Sequence, residues 1–233
     1  MVGKDLIRDA ELRDILSTKE KFVTAVYTFK TKYNAIPGDM SDAQSYWGVA
    51  ADCTLAQTTT ATCNGTGNGF LDSSTPSGAI GNERFLFWKH LANAELISGK
   101  YTGITDGTTQ WSATVNNSPS GKIANSLWYT SYWGTLSGSV WGFNAMYNNI
   151  FQFGLPVVND NPTVGILTSK EMWTMDTKID DGKPGTGSLR SFISNCVAKA
   201  NGVTTAVATD TLTAVYRTSG TGNQCPLVFP NVF

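Results

Sequence analysis

The chain has 233 residues, a size for one domain or one domain with an appendage, and ample for a packed core. Hydrophobic residues make up 41% and charged residues only 15%, well under the roughly 25% of an ordinary soluble domain. Gly, Ser, Thr and Asn fill the difference, as in secreted sheet-and-loop proteins, and a net charge of −1 supplies no field to draw nucleic acid or an anionic membrane.

Met1-Val2-Gly3-Lys4-Asp5 turns charged at once, so no signal peptide is visible, and no run of about twenty apolar residues could span a bilayer. The chain is therefore expected to be a portion of a longer exported protein. From Lys4 to Ile36 there is neither Gly nor Pro, and Ile15, Phe22, Val26, Phe29 and Tyr33 recur at helical spacing. The pattern predicts one helix over the first thirty-three residues, roughly 45 Å long by its rise per residue. Its apolar stripe is continuous only from Ile15, so the charged opening, with opposite-sign neighbours such as Asp9 and Arg13, should project as a stem. Pro37-Gly38 breaks the helix, and Ser41 with Gln44 predicts a capping box for one further turn.

Four cysteines allow three pairings. Local closure, Cys53 with Cys63 and Cys196 with Cys225, encloses the shortest loops and costs least chain entropy. Each pair brackets a polar stretch that would otherwise be poorly held, which points to disulfides and an oxidising compartment. Asn64–Asp72 echoes the one-three-five ligand spacing of an EF-hand, with Gly69 sixth. It lacks carboxylates at the first three ligand positions and a final Glu, and reads better as a Gly-rich turn bounded by a disulfide.

A second helix is expected from Asn82, with Phe85, Trp88, Leu91, Ala92 and Leu96 on one side and Ser98-Gly99 as its stop. The only histidine, His90, falls with Glu83 and Phe87 on the other, solvated, side. Between 100 and 165, aromatic and apolar residues alternate with turns, giving strand candidates parted by Gly134 and Gly138-Ser139. Trp111, Trp128, Trp133 and Trp141 in this region could stack on sugars if exposed, although core packing explains most such rings. A third helix starts at Thr168, whose spacing to Glu171 is a capping box, and the tail offers strands at "TAVYR" and "CPLVFP".

One histidine excludes a triad of His zinc ligands, and neither a nucleophile elbow nor a phosphate-binding glycine loop occurs, so the chain is not expected to be an enzyme. The adjacent Asp180 and Asp181 do not alter that, because neighbouring residues rarely converge on one substrate. With Asp176 they form a different candidate. Asp176 and Asp180 share a helix face, where like charges repel unless a cation sits between them. Hard oxygen ligands at a helix-to-loop turn, followed by a Gly-rich loop, suit calcium. The competing reading is a solvated helix end with Lys178 and Lys183 as counter-charges.

The phrase "ELRDILSTKEKFVTAVYTFKTKYNAIPGDMSDAQSYWG" (Glu11–Gly48) resembles bacterial prepilin-type proteins of the type IV pilus and type II secretion pseudopilus group. "GNGFLDSS" (Gly67–Ser74), "ERFLFWKHLANAELISGKYTG" (Glu83–Gly103), "SKEMWTMDTKIDDGKPGTGSLR" (Ser169–Arg190) and the C-terminal cysteine pair follow in the expected order. The resemblance implies an α+β pilin-like fold, a long N-terminal helix packed on an antiparallel sheet with short helices and disulfide-bounded loops. It divides the chain into a stem over 1–34 and a head over 35–233. It further implies a filament of pilin or pseudopilin subunits on the periplasmic or extracellular face of a bacterium, held to the inner membrane by an apolar N-terminal segment that this sequence does not contain. The major pseudopilins of the group imply calcium in a C-terminal loop, but their ligands do not align cleanly with Asp176, Asp180 and Asp181. The alternative function is a free-standing secreted binding module or adhesin for carbohydrate or protein.

Overall fold

In the computed structural model, which describes residues 2–72, 81–202, 204–219 and 222–233, the first element is a single helix, α1 (Val2–Tyr33). Ser73 and Ser74 of the "GNGFLDSS" phrase lie outside the described residues. The fold is α+β, with a long N-terminal helix, antiparallel sheets and two disulfides. Among the described residues, no helix is long and apolar enough to cross a membrane. The chain divides into two units, one of Met1–Ser131 with Val157–Asn161 and Phe233, the other of Tyr132–Pro156 and Pro162–Val232.

In the first unit, α1 is followed by a short helix, α2 (Gln44–Trp47), then α3 (Glu83–Asn93) and strand β1 (Leu127–Tyr132). The first fully buried side chain of α1 is Ile15, and Phe22, Ala25, Val26 and Phe29 continue the stripe. Leu6 and Ile7 are each 64% exposed, so no apolar side chain described in the first two turns is buried, and Asp14, in an ion pair with Lys122 at 2.7 Å, is where the helix begins to meet the rest of the unit. Phe22 meets Trp88 of α3 and Trp128 of β1 edge-on, at 5.0 and 5.4 Å between ring centres. Edge-to-face pairs of this kind add about 1 kcal/mol beyond their buried area. The helix thus rests on α3 as well as on a strand. Amide exchange should accordingly be fast before Ile15 and slow from Phe22 to Tyr33; uniform protection from Lys4 onward would show that the stem's start is packed.

Asn34 ends α1 in the left-handed conformation, its N–H closing on the Lys30 carbonyl at 2.9 Å. The expected Ser41–Gln44 capping box does not form. Ala43 is the N-cap, and the Gln44 N–H donates instead to Asn64 Oδ1 at 2.9 Å. The second helix starts where expected but stops at Asn93, with Glu95 in the left-handed region, well before Ser98-Gly99.

In the second unit, β2 (Thr135–Leu136) and β3 (Ala145–Met146) form a small hairpin. β4 (Asn149–Gly154) is followed by β5 (Leu167–Thr168), α4 (Ser169–Ile179), β6 (Arg190–Ser191), β7 (Val197–Ala198), β8 (Val215–Tyr216), β9 (Asn223–Cys225) and β10 (Leu227–Phe229). β10 lies between β4 and β6, antiparallel to both. β5 pairs with β9, and β7 with β8. Both disulfides join the locally expected partners, Cys53–Cys63 in the first unit and Cys196–Cys225 in the second, and all four cysteines are buried.

Candidate functional site

The second disulfide builds the acidic cluster. Cys196 leads into β7, whose partner β8 carries Tyr216; Cys225 ends β9, whose partner β5 leads into α4. The capping box at the start of α4 is present: the Glu171 N–H donates to Thr168 Oγ1 at 3.2 Å, and the Thr168 N–H to Glu171 Oε2 at 2.8 Å. With both ends of α4's surroundings stapled, Met172, Met175 and Asp176 face inward and Trp173 outward, 45% exposed. Asp176 is fully buried, and Tyr216 donates its hydroxyl to Asp176 Oδ2 at 2.7 Å.

Asp180 and Asp181 stand at the exposed end of the helix, and one carboxylate oxygen from each of the three residues lies within 4.8 Å of the others. The loop closes over them. Ser188 donates both its N–H and its hydroxyl to Asp180 Oδ2, the latter at 2.7 Å. Lys183 N–H and Thr186 Oγ1 donate to Asp181. Gly187 has φ +74°, and a side chain there would run into the Asp180 carboxylate, so the loop needs glycine at this point.

Burial pushes the Asp176 carboxyl up to about 9, helped by Asp180, while the Tyr216 hydroxyl opposes it. Partial burial raises Asp180 too, but hydrogen bonds from Asp176, Ser188 and the Asp181 N–H outweigh it and hold Asp180 at about 2. Without a cation, the two carboxyls therefore share one proton. Neither Lys178 nor Lys183 forms an ion pair with the cluster, so the expected counter-charges are not supplied there. Asp176 Oδ1, buried, accepts no N–H or hydroxyl among the described residues.

The remaining sequence candidates are redistributed. Trp128 is core, while Trp111 and Trp141 are 41% and 40% exposed. Trp141 stands edge-on to Trp133 at 4.7 Å, next in the chain to exposed Val140, and among the four sequence candidates these two form a partly open aromatic pair. Trp173, in the second turn of α4, lies outside the region from which the sequence candidates were drawn.

The solvated face assigned to His90 and Glu83 does not exist: every residue from Glu83 to Leu91 is buried, because α3 is covered on all sides. His90 Nδ1 accepts the Gly38 N–H at 3.0 Å, and Nε2 lies 3.1 Å from Thr62 Oγ1 and 3.2 Å from the Cys63 carbonyl. Since Nδ1 accepts, the proton sits on Nε2. The Gly-rich turn at Asn64–Asp72 is likewise held otherwise than expected. Its amides bind carboxylates: Gly67 and Asn68 N–H donate to Asp39 Oδ1 at 2.7 and 2.9 Å, and Gly69 N–H to Oδ2 at 2.8 Å. Glu83 accepts Thr66 N–H and Oγ1 on one oxygen, each at 2.7 Å, and Asp72 N–H on the other. Burial, with the charges of Asp39 and Asp72, lifts Glu83 to about 7 against the pull of the Thr66 bonds. With its N–H groups turned inward to two carboxylates, the loop is an anion nest, the reverse of an EF-hand.

Compared with protein-family models, curated proteins and solved structures, the chain matches none.

Proposed function

We propose that this chain is the stem and head of a pilin or pseudopilin subunit, assembling with like subunits through α1 in a type IV pilus or type II secretion pseudopilus. On this reading the protein sits on the periplasmic or extracellular face of a bacterium, and an apolar segment ahead of the stem anchors it in the inner membrane. The observation that carries the reading is the lopsided burial of α1, complete side-chain burial only from Ile15, with Leu6 and Ile7 bare. A helix that long would not keep an unpacked, gap-free half unless something outside the head engaged it. The phrase running from Glu11 to Gly48 supports the same assignment.

Cross-linking in the producing cells tests it. Leu6→Cys should give a disulfide-linked dimer, the most that one free thiol per subunit allows, while Val158→Cys, 88% exposed on the head, should not. Equal yields at the two positions, or free monomer alone, would sink the filament. A second reading, a secreted module that binds carbohydrate or protein, is supported by the half-open Trp133–Trp141 pair. It predicts monomer in the medium.

Within either reading, Asp176, Asp180 and Asp181 are proposed to hold calcium. Calcium–oxygen distances of about 2.3–2.6 Å place opposed ligands roughly 5 Å apart, which the 4.8 Å spread of the three oxygens fits. The buried Asp176 Oδ1 receives no N–H or hydroxyl, so a cation there would take the place of the proton that the two carboxyls share. The ion would tie the helix end to the Gly182–Ser188 loop and neutralise three carboxylates. Calcium should raise the melting midpoint, by the equivalent of about 2.7 kcal/mol at a hundred times its dissociation constant. Asp181→Ala should abolish the shift. An unchanged midpoint in calcium and in excess chelator would remove the metal and leave a proton-sharing carboxyl pair.

A further inference from the structure

Trp173 turns outward from α4 and is 45% exposed, while Met172 and Met175 on the same helix are buried. A lone exposed apolar side chain is ordinary on a protein surface. This one walls a cleft of about 460 Å³, whose other lining residues are Lys170, Gly182, Val215, Tyr216 and Thr218, all in the second unit. Small-molecule sites usually enclose about 300–1,000 Å³. Lys170, Trp173 and Thr218 are exposed, so a solute reaches them directly from water. Tyr216 is buried and gives its hydroxyl to Asp176, so it offers the cleft its ring and no polar group.

The lining restricts what the cleft can hold. Its apolar part is the indole, with the Tyr216 ring and Val215. Its polar side-chain groups are the Lys170 ammonium, the Trp173 indole N–H and the Thr218 hydroxyl, and none of the three has a protein partner among the described residues. Ammonium and indole N–H can only donate. Gly182 keeps the N–H edge of the indole clear: its φ is +69°, and a Cβ there would already stand 3.5 Å from Trp173 Nε1. A ligand must therefore bring a flat apolar face together with oxygen acceptors around it. A pyranose ring has both, one face of C–H bonds to lie on an indole and hydroxyl oxygens at its edge. A charge on the ligand gains little, because Lys170 would favour an anion and Asp181, next in the chain to Gly182, would oppose it.

We propose that the Trp173 cleft binds a neutral saccharide, one pyranose ring stacked on the indole and its hydroxyl oxygens on Lys170 and the indole N–H. The site depends on neither the filament nor the calcium reading, and it uses none of the residues of the Trp133–Trp141 pair. Titration with cellobiose, lactose and diacetylchitobiose, against glycerol at the same hydroxyl concentration and in excess chelator, tests it through the indole N–H signals of the tryptophans. At least one disaccharide is expected to shift the Trp173 signal saturably, and glycerol is not. Read through the Gly182 and Thr218 amides, Trp173→Ala should weaken binding by about tenfold or more, the loss of the stacked ring. Lys170→Met, at an exposed position where folding is not at stake, should weaken it by about fivefold. No saturable shift at Trp173 with any of the three sugars, or unchanged affinity in both variants, overturns the proposal. Shifts at Trp133 and Trp141 without one at Trp173 overturn it too, and leave the carbohydrate reading of that pair standing.

Discussion

Asp39→Ala is expected to cost about 4 kcal/mol, a large part of the roughly 5–15 kcal/mol that holds a domain together. The carboxylate is 4% exposed and receives three backbone N–H groups, from Gly67, Asn68 and Gly69. Hydrogen bonds to a charged acceptor contribute about 1.5–3 kcal/mol each, and removing the acceptor strands the donors. The loop is half open to solvent, so some donors would rehydrate, which keeps the total below the sum. Asp39→Asn keeps an acceptor for Gly67 and Asn68 but faces the Gly69 N–H with another donor, and should cost about half as much on the same reasoning. Urea unfolding gives the loss, and amide exchange at Gly67–Gly69 should accelerate with it. A cost below about 1 kcal/mol for the alanine variant would show that the loop does not depend on its nest.

The nest also marks where sequence reading stops. Asp39 sits inside the phrase that carries the family resemblance, yet nothing local says what it does, because its partners lie almost thirty residues downstream. The features that were legible are the local ones. The stripe from Ile15 to Phe29 follows from helical period alone, and the Thr168–Glu171 box from a four-residue spacing. The disulfide pairing followed from loop length. The Ser41–Gln44 box failed because Asn64, distant in sequence, offers Gln44 a better acceptor. Two-residue strands such as β7 and β8 carry too few alternating positions for a pattern, so Tyr216 could not be placed beside Asp176 from sequence. The acidic cluster was legible as residues; its fully buried member and the lack of lysine partners were not.

His90 was misread for the same reason, and the misreading has a measurable consequence. A helical wheel gives α3 a polar side, but the Pro37-Gly38 turn lies directly on that side. Gly38, at φ +89°, comes so close that a Cβ there would stand 2.4 Å from the Glu83 carbonyl. The imidazole is thereby sealed in, and burial lowers it to about 3, with the Cys63 carbonyl opposing and nearby Lys89 adding repulsion. Geometry gives the same direction: a proton on Nδ1 would displace the Gly38 N–H that this nitrogen accepts. The unfolded chain, with an ordinary histidine near 6.5, takes up the proton first. Stability from the neutral ring is therefore complete above about pH 6.5 and is lost as pH falls toward 3, by about 1.4 kcal/mol per pH unit. Glu83 on the same helix, lifted to about 7, acts in the opposite sense: its contribution is present below the ordinary glutamate value and lost as pH rises through 7. Total stability would thus blend the two, so the comparison must be made against a variant that keeps Glu83. His90→Gln can still accept from Gly38 and donate to Thr62 but cannot titrate. It should be the less stable protein at pH 7.5, and its deficit should shrink steadily below pH 6.5 and approach zero near pH 4. Urea unfolding of both proteins at four pH values decides it. A deficit that stays constant across the range would mean that His90 takes up its proton without leaving the fold, and that the seal of Gly38 over the ring is looser than the contacts require.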